Sequence, residues 1–161
     1  MALWQFAFTP VPAKDAKISG IDAINLSCDV LERIDLGLTP SEQFDLFSAL
    51  GLLLPEKASW SDSLRIWGDE KADDVQVFFD GARIELIEFR LDVSNLSIAL
   101  IGEFCALARK FAWVFATSDG AVILPTREAV VRAVIRSPAN RFVRDPKGYL
   151  EQASRADIRP E

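Results

Sequence analysis

Histidine is absent from the 161-residue chain, and this absence limits the chemistry that the other polar residues could perform. Ser-His-Asp and Cys-His arrangements need an imidazole base, and histidine-ligated metal sites need an imidazole ligand. The glycine-rich phosphate-binding motifs and the H-E-x-x-H zinc motif are missing as well. Carboxylate pairs, which can serve as general acid and base, are the catalytic class left open. We therefore predict a protein that is not an enzyme and that binds no cofactor.

Glu88, Arg90 and Asp92 alternate along one apolar run, so on a β-strand they would share a face. A buried strip of such charges would be a site candidate. The ordinary alternative is an exposed strand face on which cross-strand ion pairs contribute little to stability. Because solvated strand faces are common, we expect the exposed face. We retain all three residues as candidates for contact with a partner.

Four carboxylates crowd one turn around Lys71. Such a group could hold a hard cation such as Ca²⁺, but the spacing of a calcium-binding loop is absent, so we predict no metal site. The turn is expected to be solvated. A tryptophan beside it would supply the aromatic anchor that many interfaces use, which makes the turn a second candidate for partner contact. The residues concerned are Trp67, Asp69, Glu70, Asp73 and Asp74.

The net charge of −6 is distributed unevenly along the chain. Residues 56–94 carry ten acidic and five basic side chains, whereas residues 126–161 carry eight basic and five acidic ones. Arg132 and Arg136 share one face of a predicted helix, but the stacking aromatic residues that would favour nucleic-acid binding do not accompany them. We expect these arginines to be solvated and to pair with the acidic half of the chain. The overall charge disfavours nucleic acids and anionic membranes as partners.

A β-hairpin around Asp80-Gly81 is the central element that the sequence predicts, because Asp-Gly between two β-rich runs is a strong turn signal. A type I′ turn at these residues would place Val77 opposite Ile84. Further along the second strand the apolar alternation changes phase. One extra residue in a strand moves every later side chain to the opposite face of the sheet. The change of phase therefore predicts a β-bulge near Leu86–Ile87.

Alternating apolar runs predict further strands on both sides of this hairpin. Pro10 and Pro12 are expected to end the first of them, because proline lacks the N–H group that a sheet ladder uses. Residues 13–38 are the part of the chain that is hardest to interpret, although Leu26, Val30, Leu31 and Ile34 suit one face of a helix. The additional predicted strands cover residues 2–9, 63–67, 112–117 and 121–124.

Helix signals occur at three places. Thr39-Pro40-Ser41-Glu42 has the sequence of a capping box, and an apolar stripe that begins at Phe44 should be buried. A second helix should begin after a cap at Ser94-Asn95 and turn Phe104 toward the sheet. A third helix is predicted over residues 126–136, followed by a short closing segment.

These elements predict an α+β fold with an antiparallel sheet of about five to six strands and helices packed mainly on one face. A single domain is expected over residues 1–154, with a frayed C-terminal tail over 155–161. Cys28 and Cys105 belong to no metal-binding or redox motif, so we expect both to be reduced. Neither a signal peptide nor a membrane span is evident, and the predicted location is the cytoplasm.

Six short stretches between about residues 60 and 150 carry a resemblance. They are Trp67-Gly68, Asp73-Asp74-Val75, Phe89-Arg90-Leu91-Asp92-Val93, Ser137-Pro138-Ala139, Arg141-Phe142-Val143 and Asp145-Pro146. In these stretches the chain resembles uncharacterised bacterial families of the polymorphic-toxin immunity kind. The resemblance implies a small cytoplasmic protein that binds and blocks a cognate toxin. Because such sequences diverge widely, no functional residue is carried over from them.

The order of predicted elements is similar to that of class I type III secretion chaperones, which are dimers that bind an extended effector segment. From residue 40 onward the order is helix, three strands, helix, two strands and helix. The N-terminal strand and the following ~30 residues depart from it. Our leading prediction is an acidic protein that neutralises a cationic toxin, which could be a nuclease. The alternative is a chaperone for a secreted effector. The sequence leaves open whether the protein is a monomer or a homodimer.

Overall fold

The computed structural model describes residues 2–16, 26, 31–32 and 34–157. The strands are β1 (Gln5–Pro12), β2 (Glu56–Lys57), β3 (Leu64–Gly68), β4 (Asp74–Asp80), β5 (Arg83–Asp92), β6 (Trp113–Ala116) and β7 (Val122–Ile123). The helices are α1 (Ala13–Ala16), α2 (Pro40–Leu53), α3 (Ile98–Lys110), α4 (Arg127–Ile135), α5 (Pro138–Arg144) and α6 (Pro146–Asp157). Within the described residues the strands form one antiparallel sheet in the order β2-β3-β4-β5-β1-β6-β7. The predicted α+β class is confirmed, and the strand missed by the sequence is β2, which has two exposed charged residues and no apolar pattern.

β4 and β5 form the predicted central hairpin, but its turn is shifted by one residue. Asp80 pairs with Arg83, so the two central residues of the turn are Gly81 and Ala82. Of these two, Gly81 alone has a positive φ, at 62°. This combination is typical of a type II′ turn, whereas the predicted type I′ turn needs a positive φ at both positions.

The shifted turn changes the register of the hairpin. Val77 lies opposite Ile87, so the predicted pairing with Ile84 is wrong. The predicted bulge is present slightly earlier than expected, with Glu85 as the extra residue between Ile84 and Leu86. After the bulge, the apolar residues of β5 face the core and the charged residues share the opposite face.

β1 lies in the middle of the sheet and changes its partner halfway along. Residues 5–8 pair with β5, and residues 9–12 pair with β6. Pro10 and Pro12 therefore lie inside the strand, and the prediction that they end it is wrong. Proline is tolerated here because the ladder with β5 has already ended at Phe8, so no hydrogen bond on that side is lost.

An aromatic core occupies one face of the sheet. The rings of Phe8 in β1 and Phe89 in β5 stack with centroids 5.5 Å apart, and Phe104 of α3 lies 4.8 Å from Phe89. Phe115 of β6 packs edge-on against Phe8 at 4.8 Å. Residues of α2, α3 and α4 are buried in the same core. The predictions that the helices pack mainly on one face and that Phe104 faces the sheet are therefore confirmed.

α2 begins with the predicted capping box. The Thr39 hydroxyl accepts the Glu42 N–H, and the Glu42 carboxylate accepts the Thr39 N–H, each at 3.1 Å. The buried stripe runs through Leu46 and Leu50, both fully buried, whereas Phe44 is 71% exposed. The predicted burial of Phe44 is wrong because it lies two residues from Leu46 and therefore about 200° around the helix.

The later helices differ from the prediction mainly at their ends. Ser97 caps α3, so the predicted cap at Ser94-Asn95 is wrong; these residues form a 3₁₀ turn that Asp92 caps. The third predicted helix, over residues 126–136, is α4, and Thr126 caps its N-terminus. The predicted short closing segment consists of two helices, α5 and α6. The second continues to Asp157, beyond the predicted start of the tail, and the residues after it lie outside the described part.

Cys105 is buried in α3, and burial raises the pKa of its thiol. Cys28 lies outside the described residues. Among the helices of the described residues, none has the length and apolar character needed to cross a membrane.

Candidate functional site

Asp74 and Arg90 form a buried ion pair on the sheet face opposite the aromatic core. They are directly opposed in β4 and β5. Arg90 donates from Nε to Oδ1 of Asp74 at 2.6 Å and from Nη2 to Oδ2 at 2.5 Å. Asp74 is fully buried and Arg90 is 7% exposed, while Gln76 donates a further hydrogen bond to Asp74 at 3.1 Å. Both carboxylate oxygens therefore have donors, as a buried charge requires.

The strip of Glu88, Arg90 and Asp92 is less exposed than predicted. Arg90 is buried, and the other two residues are half-buried. The prediction of an exposed strand face is wrong at Arg90, whose guanidinium lies against the carboxylate of Asp74 on the neighbouring strand β4. Burial raises the pKa of Glu88; Arg90 lowers this pKa and Asp74 raises it, but the effect of burial is the largest.

The turn between β3 and β4 depends on a glycine at its start. Gly68 has a φ of 100°, and a Cβ atom at this position would collide with the carbonyl oxygen of Asp73. The Asp69 N–H donates to the same carbonyl at 3.1 Å, and the Asp69 carboxylate accepts the Lys71 N–H at 2.9 Å. These contacts fix the backbone of the turn, residues 69–73, which we call the acidic turn.

Side chains from the start of the chain hold this turn from the other side. Gln5, which is 2% exposed, donates from Nε2 to the carbonyls of Glu70 at 3.0 Å and Ala72 at 2.7 Å. The Trp4 indole N–H donates to the carbonyl of Lys71 at 3.2 Å. The acidic turn is therefore fixed to the N-terminal end of β1.

The aromatic side chain at this surface is Trp4 and not the predicted Trp67. Trp67 is 1% exposed and stacks on Phe47 of α2, with ring centroids 5.5 Å apart, so its ring is not accessible to a partner. Trp4 is 37% exposed. Trp4 falls within the strand predicted over residues 2–9, but β1 begins one residue after it. Its proximity to the turn, 67 residues away, has no signal in the sequence.

The predicted carboxylates of the turn have different environments. Asp69 is exposed, and Glu70 is partly exposed with Oε1 3.5 Å from the Lys57 ammonium. Asp74 is fully buried against Arg90, so the prediction of a solvated turn is wrong at this position. The physical reason is that Asp74 is already the first residue of β4 and lies between two paired strands.

Asp73 lies between the turn and the end of β5. Its Oδ1 accepts the Asp92 N–H at 2.7 Å, and the carboxyl group is half-buried. Burial raises the pKa of Asp73; the hydrogen bond from Asp92 opposes this rise, while the charges of Asp92 and Asp74 add to it.

The turn between β3 and β4 and the adjoining charged face of β5 therefore carry five carboxylates around the buried Asp74–Arg90 pair, with the indole of Trp4 against the turn. We call this surface the acidic edge. Partly desolvated carboxylates favour contact with cationic groups, because an opposite charge stabilises their ionised form. Over the described ranges, no three acidic or cysteine side chains converge in a way that would hold a metal ion. The acidic edge consists of Trp4, Asp69, Glu70, Asp73, Glu88 and Asp92.

A cleft of about 820 Å³ opens on the opposite side of β1. We call it the arginine cleft, because Arg132 of α4 and Arg136, which caps the C-terminus of α4, lie on its wall; both are exposed. Neither forms an ion pair with another described residue, so the predicted pairing with the acidic half is not found in this part of the chain. The hydroxyl of Thr117 lowers the pKa of Asp119, which also lines the cleft. The apolar wall includes Leu3, Phe6, Ala7 and Val122.

Comparison of the chain with protein-family models, with curated proteins and with solved structures found no match. The chemistry of the acidic edge and of the arginine cleft therefore has to indicate the function.

Proposed function

We propose that this protein is a stoichiometric inhibitor that neutralises a cationic toxin in the cytoplasm by binding it through the acidic edge. A nuclease is the toxin class that fits best, because nuclease sites need cationic side chains to hold phosphates. The inhibitor acts by occupying the site and performs no catalysis. The single observation that carries this proposal is the cluster of carboxylates at the acidic edge, in which Asp73 and Glu88 are half-buried.

Burial raises the pKa of Asp73 and Glu88 because their ionised forms have lost part of the stabilisation that water provides. Arg90 beside them is already bound to both oxygens of Asp74. A lysine or arginine of a partner would restore the missing stabilisation through charge-assisted hydrogen bonds. A cationic partner therefore stabilises the ionised forms of these partly desolvated carboxylates more than it would stabilise those of fully hydrated ones.

The acidic edge is ordered before any partner binds. Gln5 and Trp4 bind the backbone of the turn, and Asp73 binds the backbone of Asp92. Preordered side chains and loops lose less conformational entropy on association. The partly exposed ring of Trp4 adds an aromatic contact of the kind that often dominates the energy of an interface.

A secretion chaperone is the alternative that the element order suggests. In the sheet, β1 is inserted between the β3–β4–β5 part and the β6–β7 hairpin. The strand that departs from the chaperone-like order is thus the central link of the sheet and not an appended segment. We favour the inhibitor over the chaperone, because binding of a cationic toxin would offset the unfavourable partial burial of the carboxylates at the acidic edge.

The product of the adjoining gene is the first partner to test, since a toxin and its inhibitor are made in the same cell. We expect this product to stop growth when it is expressed alone, and co-expression of the present chain to restore growth. The two proteins should copurify as a one-to-one complex, measured by light scattering. A harmless adjoining product, or restored growth without a complex, would contradict the proposal.

Two triple variants test whether the acidic edge itself, and not the overall negative charge of the protein, is needed for neutralisation. Each variant loses three negative charges. All six positions are replaced by amides, which retain an oxygen acceptor. The edge variant should fail to restore growth, whereas the control variant should restore it; equal rescue by both would contradict the proposal. The control positions are exposed and lie toward the hairpin end of the sheet: Asp80 and Glu85 are in β4 and β5, and Asp62 lies just before β3. The edge variant is Asp69→Asn/Glu70→Gln/Asp73→Asn, and the control variant is Asp62→Asn/Asp80→Asn/Glu85→Gln.

A further inference from the structure

β1 has two stretches of open edge because it changes partner halfway along. Within the described residues, no strand lies beside its first half on the β6 side or beside its second half on the β5 side. Two hydrogen bonds define the backbone directions: Val93 N–H donates to the Trp4 carbonyl at 2.9 Å, and Ala13 N–H donates to the Ala112 carbonyl at 2.9 Å. Backbone groups alternate in direction along a strand, so even-numbered residues of β1 point toward β5 and odd-numbered residues toward β6.

The two open stretches differ in whether another strand could pair with them. On the β5 side the free positions are Pro10 and Pro12, which have no N–H and therefore block strand addition. On the β6 side they are Gln5 and Ala7. The Gln5 N–H donates to the Ala2 carbonyl at 3.0 Å. The Gln5 carbonyl and both backbone groups of Ala7 remain directed at the arginine cleft, with no backbone partner among the described residues.

The arginine cleft contains the other features of a peptide site. Its lining includes Gln5 and Ala7, so the open edge forms part of its wall. Arg132 lies in α4 and Arg136, four residues later, is the C-cap of the same helix with helical backbone angles, which places both side chains on one side of the cleft. Arginine suits the recognition of carboxylates because its planar donors match the two oxygens. Apolar residues between the edge and the arginines provide contacts for alternate side chains of a strand.

We propose that the arginine cleft binds an extended peptide segment, which adds to β1 as a strand and places an acidic side chain on Arg132 and Arg136. Main-chain hydrogen bonds to Ala7 and Gln5 would supply affinity, and the arginines would select the acidic residue. The open edge of four residues spans about 13 Å, which suits a strand of similar length. This site goes beyond the inhibitor function, because it is a different surface with the opposite preference for charge.

A small amphipathic anion, such as a fatty acid, could use the same arginines and the same apolar wall. It would leave the backbone groups of Ala7 without partners, and a strand would not. The open edge is therefore the observation that favours a peptide.

Hydrogen exchange at the Ala7 amide tests the open edge without any ligand. In the free protein this amide should exchange rapidly, whereas the amides of Phe6 and Phe8, which point toward β5, should be protected. Slow exchange at Ala7 in the free protein would show that the edge is already paired, and the proposal would be overturned.

Selection of random octapeptides on the immobilised full-length protein tests the ligand class. The selected peptides should contain Asp or Glu beside apolar or β-branched residues, and they should slow hydrogen exchange at Ala7. A failure to select peptides, or a selected set without acidic residues, would overturn the proposal. The proposal would also be overturned if laurate displaced every selected peptide and the peptides left hydrogen exchange at Ala7 unchanged.

Matched variants test each contact with one selected peptide. Arg132→Gln/Arg136→Gln should weaken binding at least tenfold, whereas Arg141→Gln/Arg144→Gln on α5 should change it less than twofold. Ala7→Pro removes the N–H and should abolish binding, while Ala7→Ser retains the N–H and should bind normally. Equal binding by all variants would overturn the proposal. If Ala7→Pro does not fold, the exchange measurement on the unmodified protein decides the role of the edge.

Discussion

The guanidinium of Arg90 binds both carboxylate oxygens of Asp74 across the β4–β5 ladder, next to the carboxylates of the acidic edge. The hydrogen bonds to Asp74 raise the pKa of Arg90, although its burial opposes this rise. Asp74 and Arg90 act in opposite directions on the pKa of Glu88. The pair therefore contributes to the electrostatics of the edge while neither member is available to a partner.

Removing one member of this pair should destabilise the protein far more than replacing both. Arg90→Met leaves the buried Asp74 carboxylate without its cation, and we expect a loss of about 3–5 kcal/mol in the free energy of unfolding. The double variant Asp74→Leu/Arg90→Met has no buried charge and should remain within about 1 kcal/mol of the unmodified protein. Urea unfolding measures both. A double variant as unstable as the single one would show that the pair itself has a net stabilising role.

Phe104 and Phe44 provide a second contrast, because both are phenylalanines on helices. Phe104 is fully buried against Phe89, while Phe44 is 71% exposed. Phe104→Ala should cost about 3–5 kcal/mol, the usual range for truncation of a buried phenylalanine. Phe44→Ala should change the stability by less than about 0.5 kcal/mol. Similar losses in the two variants would mean that Phe44 is covered in solution.

Sequence patterns predicted the parts of the fold that depend on neighbouring residues. The capping box at Thr39 and the bulge after the central turn are local in this sense, and both are present. Pro10 and Pro12 were misleading, because their effect depends on which side of the strand has a neighbour. That information is a property of the sheet order, which brings β1 between two segments far away in the chain.

The candidate site was harder to predict because the exposure of a charge depends on distant partners. Asp74 looked like one carboxylate among four, and its burial follows from Arg90, 16 residues further along. Trp4 reaches the acidic turn across 67 residues of sequence. Charge clustering indicated the correct region, but it could not separate the residues that contact solvent from those that hold the region together.

Glu88 should make the stability depend on pH in a direction that is unusual for a carboxylate. Burial raises its folded-state pKa above that of the unfolded chain, which is about 4.3 for glutamate. Its contribution to stability is therefore fully present below that pH and is lost as the pH rises through the folded-state pKa. Glu88→Gln should increase the free energy of unfolding at pH 7, and the increase should vanish at pH 3.5.

Urea unfolding at the two pH values measures this difference. Glu85→Gln on the same strand is the control, because Glu85 is exposed, and it should change the stability by less than about 0.5 kcal/mol at pH 7. An equal gain for Glu88→Gln at both pH values would assign the effect to packing and not to charge.

The association rate with a cationic partner should depend on where negative charge is removed. With a partner obtained by co-expression, the edge variant should associate at least tenfold more slowly than the unmodified protein at low ionic strength, because complementary charges steer the encounter. The difference should shrink as salt is added, since exposed charges are screened beyond about 10 Å at 0.1 M. The control variant has the same net charge and should stay within about twofold of the unmodified protein. Stopped-flow fluorescence provides the rates, and Trp4 at the edge supplies a signal. An edge variant that associates as fast as the unmodified protein at every salt concentration would exclude the acidic edge as the contact surface.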